Sequence, residues 1–96
     1  MPKRVDANQR EIVATMRNLG ASVRILSDVG KGCPDLLVGF GGCNYLFEVK
    51  DGSKPKSARK LTPQEQTFFD AWKGQVAVIN SLDEVVLFFR DLILRK

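Results

Sequence analysis

Two runs of strand-forming residues, Asp35-Leu36-Leu37-Val38-Gly39-Phe40 and Tyr45-Leu46-Phe47-Glu48-Val49-Lys50, flank the turn-forming segment Gly41-Gly42-Cys43-Asn44. They read as a β-hairpin, and a hairpin in mid-chain obliges the flanking segments to build on one small sheet. Before it, Asp6 and Gln9 form a capping pair, Ile12, Val13, Met16 and Leu19 recur at helical spacing, and Gly20 supplies a stop. Val23 to Leu26 alternates as a short strand ending in the loop Ser27-Asp28-Val29-Gly30-Lys31-Gly32. After the hairpin, Asp51 to Lys60 is a mobile basic loop almost without apolar residues. Thr62-Pro63-Gln64-Glu65 then carries a capping threonine, a proline at the first helical position and a glutamate at the reciprocal position, which predicts a helix to about Lys73. Val76 to Ile79 reads as a buried strand. Ser81 and Glu84 form a second capping box for a last helix whose apolar residues are Leu82, Val85, Phe88, Phe89, Leu92 and Ile93.

The element order is α-β-β-β-α-β-α, and 96 residues leave room for one domain, 1–96. Helices separating strands around an antiparallel hairpin predict an α/β fold of three layers: a mixed sheet with helices on both faces. The 77–79 strand is expected to join parallel to 45–50 through a right-handed crossover.

Composition narrows the chemistry. The chain has no histidine, which removes Ser-His and Cys-His nucleophile pairs, histidine metal sites and imidazole bases, and with them the histidine-based nucleases. A net charge of +4 favours a polyanionic partner without demanding one. Cys33 and Cys43 lack zinc-site spacing and read as reduced, packed thiols. No run of eighteen apolar residues occurs, so a soluble, intracellular protein without a membrane partner is expected.

Glu48 and Lys50 lie two apart on one strand and leave the same sheet face, while Phe47 and Val49 leave the other. With a four-residue turn at 41–44 and no bulge, residue 40 faces 45, 37 faces 48 and 35 faces 50, which brings Asp35 to that face too. Two carboxylates and an ammonium on a partly covered face that also holds Leu37 and Leu46 are costly unless they bind something. Paired carboxylates offer hard oxygen ligands to Mg²⁺, which completes its shell with water and substrate phosphate, so a phosphodiester is the natural substrate. Lys50 beside the metal would orient and help deprotonate the attacking water. An exposed edge strand with alternating charges is the alternative for Glu48-Val49-Lys50, and a simple strand start is the alternative for Asp35.

Gly32-Cys33-Pro34-Asp35-Leu36-Leu37, Glu48-Val49-Lys50 and Leu61-Thr62-Pro63 with its following aromatic helix resemble the PD-(D/E)xK nucleases, and among them the stand-alone VRR-NUC domains of phages and bacteria. The resemblance runs from about Asp6 to Ile79. It implies a restriction-endonuclease-like fold with an αβββαβ core, extended here by a C-terminal helix. It implies Asp35 and Glu48 as ligands of Mg²⁺ or Mn²⁺, the Val49 carbonyl as a third ligand, and Lys50 as the catalytic lysine. It also implies the cytoplasm of a bacterial or phage-infected cell. Many members have glutamine near the start of the second helix, where this chain has Glu65 between Gln64 and Gln66. Glu65 is thus a further catalytic candidate, with helix capping as its alternative. Some relatives use an acidic residue of the first helix near the metal, which brings in Gln9 and Glu11, against capping or solvent roles.

Lys31 and the loop residues Lys54, Lys56, Arg59 and Lys60 are candidates for phosphate contacts, or simply a solvated surface. No aromatic platform accompanies that loop, which argues against single-strand stacking. In the last helix, Leu87 and Leu94 recur seven apart opposite the core stripe. A homodimer through this face is expected, with scattered surface leucines as the alternative. Together these features point to a metal-dependent endonuclease acting on DNA, structure-selective for branched substrates such as Holliday junctions or flaps. The rivals are a catalytically silent nucleic-acid-binding module for recombination or packaging, and a ribonuclease or RNA-binding adaptor.

Overall fold

The computed structural model describes residues 7–95. Its elements are α1 (Ala7–Asn18), β1 (Ser22–Ile25), β2 (Leu36–Phe40), β3 (Cys43–Val49), α2 (Pro63–Ala71), β4 (Val76–Ile79) and α3 (Leu82–Leu94), with a single 3-10 turn at Lys56–Ala58 before α2. This is the expected order. The four strands form one mixed sheet in the order β1-β2-β3-β4, antiparallel except for the parallel β3/β4 pair. The expected capping role of Asp6 lies outside the described residues. At its other end, α1 closes as the sequence predicts: Gly20 adopts φ 101°, its N–H donates to the Arg17 carbonyl, and the Ala21 N–H donates to the Met16 carbonyl. That pairing is the Schellman closure a C′ glycine permits.

The hairpin departs from the expected register. Gly41 and Gly42 both take positive φ, 59° and 82°, so the turn needs only these two residues. The pairs are Phe40 with Cys43, Val38 with Tyr45, Leu37 with Leu46 and Leu36 with Phe47. Residues 40 and 45, and 37 and 48, therefore do not face each other, and extending the ladder by one places Asp35 across from Glu48 rather than Lys50. The register moves by two positions, and side chains alternate with period two, so every residue keeps its predicted face.

Leu36, Val38, Tyr45, Phe47 and Ile79 turn to one face, where they join Ile12, Val13 and Met16 of α1 and Val85 and Phe89 of α3 in the buried core. Phe40 meets Phe89 edge-on at 4.7 Å, and Phe88 meets both Tyr45 and Phe47 the same way. Such pairs add about 0.5–1.5 kcal/mol each to the burial of the rings. Leu19, Leu82 and Ile93, expected in these apolar stripes, are exposed because they sit at the margins of their helices. The opposite face carries Asp35, Leu37, Leu46 and Glu48; α2 meets it through Glu65 at Lys50 and Trp72 beside Leu37 and Leu46, and contributes no buried residue.

Local signals at the later helices hold with two adjustments. The capping box at Thr62 and Glu65 is complete, but α2 ends at Ala71 with Trp72 as C-cap, short of Lys73. At α3, Ser81 Oγ accepts from the Glu84 N–H, whereas Glu84 Oε1 reaches back to the N–H of Asn80 instead of that of Ser81. Cys43, at the hairpin turn, is exposed and not packed, because the tight turn carries it to the sheet end.

The loop from Ser27 to Pro34 is locked to α2 by Gly32. Its φ is 78°, and a Cβ there would strike the Gln64 carbonyl oxygen and lie 2.6 Å from the carbonyl carbon. Gly32→Ala is expected to lower stability by about 1–3 kcal/mol in urea unfolding, through the strained backbone and the displaced loop. An unchanged midpoint would show that the loop and α2 move apart freely.

Candidate functional site

Asp35 stands one residue ahead of β2, where Pro34, itself fully buried, holds the chain before the strand begins. Its main-chain carbonyl accepts from the Leu26 N–H, and its Oδ2 accepts from the Val49 N–H at 2.9 Å. The side chain thus bridges to β3 where the β2 ladder has not yet started. The Lys50 N–H points the other way, to the Ile79 carbonyl. Since the N–H and C=O of one strand residue leave on the same side, the Val49 carbonyl faces the Asp35 side of β3.

Glu48 is buried at 4% exposure, and its Oε1 has no hydrogen-bond partner. Lys50 Nζ lies 3.7 Å from Glu48 Oε2 and 2.8 Å from Glu65 Oε1. The same Glu65 Oε1 also accepts from the Thr62 N–H at 2.8 Å, which completes the capping box expected of it. Burial first, and then the neighbouring carboxylates of Asp35 and Glu65, push the Glu48 carboxyl up to about 9. Burial also acts to raise Glu65, but hydrogen bonds from Lys50, the Thr62 N–H and Glu48 outweigh it, and the net shift is downward. Two carboxyls side by side are thus driven to opposite protonation states at neutral pH.

The other expected site residues divide. Gln9 is buried in α1 and its Nε2 donates to Ser27 Oγ at 3.4 Å, bracing the loop that leads to Asp35. Glu11 is exposed on the helix. Asn8, which the sequence did not single out, donates from Nδ2 to the Lys50 carbonyl at 2.8 Å and ties α1 to the end of β3. Nothing in the local pattern marks that contact, because it joins residues 42 apart. Lys31, Lys54, Lys56 and Lys60 are exposed, whereas Arg59 is half-buried with its Nε enclosed and unpartnered.

Among the described residues no group of three or more His, Cys, Asp or Glu side chains is gathered closely enough to hold a metal ion. The donor set is a carboxylate pair, Asp35 and Glu48, with a main-chain carbonyl beside it. Such a sparse, all-oxygen set, with Glu48 Oε1 free of other partners, is of the kind that suits Mg²⁺ or Mn²⁺, which take the rest of their shell from water and phosphate. Comparison of the chain with protein-family models, with curated proteins and with solved structures gives no match. Among the described residues no helix is long and apolar enough to cross a membrane.

The raised carboxyl has a consequence for stability. Glu48 is protonated in the folded metal-free protein at neutral pH, whereas the unfolded chain ionises near the ordinary value of 4.5. Between about 4.5 and 9 the folded state therefore binds more protons, and its stability falls as pH rises through that window. Urea unfolding in EDTA is expected to show a loss on the order of 1–3 kcal/mol from about pH 5 to 8, and Glu48→Gln is expected to flatten it. A wild-type profile as flat as that of the variant would refute the raised carboxyl.

Proposed function

We propose that this protein is a metal-dependent nuclease of PD-(D/E)xK type, with the restriction-endonuclease-like αβββαβ core and a C-terminal helix, that hydrolyses phosphodiester bonds in DNA. The observation that carries this reading is the meeting of Asp35, Glu48 and Lys50 on one sheet face, with the buried Glu48 oxygen left without a partner. A purely structural ion pair would satisfy that oxygen; a ligand site has reason not to.

Asp35, Glu48 and the Val49 carbonyl would hold Mg²⁺ or Mn²⁺. The bound ion would supply charge neutralisation at the phosphate and a more acidic water. To hold the ion Glu48 would have to give up its proton, which would make metal affinity fall at low pH. Lys50, held at 2.8 Å by Glu65, is an ammonium donor aimed across the site. In this state it orients the attacking water or a phosphate oxygen by donation, a narrower role than taking the water's proton. Glu65 positions Lys50 while capping α2, and Gln9 and Asn8 brace the two strand ends. Lys31 and the basic residues Lys54, Lys56, Arg59 and Lys60 supply the positive field that offsets the carboxylates' repulsion of DNA.

A second copy of the chain is the favoured protein partner. Val86, Leu87, Ile93 and Leu94 are 48, 55, 53 and 73% exposed on the outer side of α3. Asp83 and Arg90 lie between them, two turns apart, so two α3 helices packed antiparallel about a two-fold axis would set opposite charges against each other. Two sites on one dimer suit a branched substrate.

Incubation of supercoiled, linear and four-way-junction DNA with Mg²⁺, Mn²⁺ or EDTA tests the activity. Metal-dependent cutting is expected, reduced about a hundredfold or more by Lys50→Ala. Asp35→Asn is expected to abolish Mn²⁺ binding in calorimetry. Tight DNA binding without cutting under any condition would favour the accessory-module alternative. For the dimer, Leu87→Lys is expected to delay elution in gel filtration to the monomer position; an unaltered volume would remove that face.

A further inference from the structure

Glu65, Phe68 and Trp72 follow one another at helical spacing on the side of α2 that faces the sheet. Phe68 and Trp72 stack with ring centroids 4.9 Å apart and planes 16° from parallel, yet Trp72 stays 46% exposed. A groove of about 410 Å³ opens beside Phe68, with Lys31, Pro63 and Thr67 in its wall. Another, of about 340 Å³, lies where Trp72 overhangs Leu37 and Leu46. The stacked pair therefore stands between two open grooves, and the second opens over Leu37 and Leu46, which share the sheet face of Glu48. A large aromatic surface left in water, backed by a second ring, is poised for a flat apolar ligand.

The charge beside it identifies the ligand. Lys31 is the one non-glycine residue among the described residues with a positive φ, 56°, and Gly32 pins its loop against the backbone of Gln64. This turn carries Lys31 to the wall of the Phe68 groove, where it presents a cation. A planar apolar surface next to an exposed lysine matches a nucleobase and its phosphate. Along α2, Glu65 and Trp72 are about 10 Å apart at 1.5 Å per residue. That is no more than about three nucleotides at a 3.4 Å rise.

We propose that Phe68 and Trp72 form a stacking platform for an unpaired base of a DNA strand whose phosphate lies at the Asp35, Glu48 and Lys50 site, with Lys31 contacting the backbone. The position of that phosphate rests on the nuclease reading; the stacking itself is a binding property. Bases within a blunt duplex keep their faces covered, so the platform selects single-stranded, flapped or branched DNA. The basic loop carries no aromatic residue, as its sequence shows, and the platform comes from a separate element instead.

Trp72 is the sole tryptophan of the chain, so its emission reports directly on the platform. The Lys50→Ala variant in EDTA would be titrated with a short oligothymidylate and with a blunt duplex. Quenching by the oligothymidylate and little change with the duplex are expected. Trp72→Leu, which keeps apolar bulk but loses the aromatic face, is expected to weaken oligothymidylate binding about tenfold or more in fluorescence anisotropy. Its duplex affinity should change less than about twofold, and Trp72→Phe should restore most of the lost affinity. Circular dichroism confirms that both variants fold. Unchanged emission at saturation, or equal oligothymidylate affinity in Trp72→Leu, would overturn the platform. Quenching without any cleavage by the wild type would sink the nuclease reading alone, and cleavage with an indifferent indole would sink the platform alone.

Discussion

A carboxyl group shut away from water beside two others is the constraint on which this structure turns. Glu48 sits on the central strand pair with Asp35 and Glu65 as neighbours, one oxygen without a partner and a single lysine ammonium 3.7 Å from the other. The folded protein accommodates it by leaving it protonated, which removes the charge and lets the carboxyl hydrogen-bond with its carboxylate neighbours Asp35 and Glu65. Its surroundings are arranged to keep this costly group in place. Asp35 is fixed by the Val49 N–H, Lys50 by Glu65, and the Lys50 backbone by Asn8.

The sheet face on which the site is built was legible because period-two alternation is insensitive to an even error in register. A four-residue turn at 41–44 and the observed Gly41-Gly42 turn differ by two pairing positions, so Asp35, Glu48 and Lys50 share a face under either. An odd error would have separated them. What the pattern could not show was the exact partner, Glu48 rather than Lys50 across from Asp35, because two adjacent glycines permit a shorter turn than their neighbours suggest. Helix ends were legible where a cap is local, as at Gly20 and Thr62. They were less so at Asn80, where a side chain reaches one residue beyond the expected donor.

Glu65 shows how a helix cap and an ion pair can share one carboxylate. The geometry that lets a glutamate at the third helical position reach back to the cap also brings its carboxylate to the helix N-terminus. Here that end of α2 lies over Lys50. One oxygen accepts from both, so the cap fixes the ligand of the lysine and the lysine in turn steadies the cap. The pairing of Asn8 with Lys50 was not legible for the opposite reason. It depends on how α1 docks against the end of β3, a tertiary fact with no periodic trace.

The two faces of the sheet divide the labour of the molecule. On one side α1 and α3 meet over Leu36, Val38, Phe47 and Ile79, and the aromatic residues of β3 and α3 interlock. That face supplies most of the apolar burial, on the scale of about 25 cal/mol per Å². On the other, α2 buries no residue fully and leaves Leu37 and Trp72 partly in water. A second, equally packed layer would add stability but would seal the carboxylates from solvent. With folding secured on the first face, the second can hold a buried glutamate and an ion-paired lysine at the end of β3, and an aromatic pair at the end of α2 that stays partly in water.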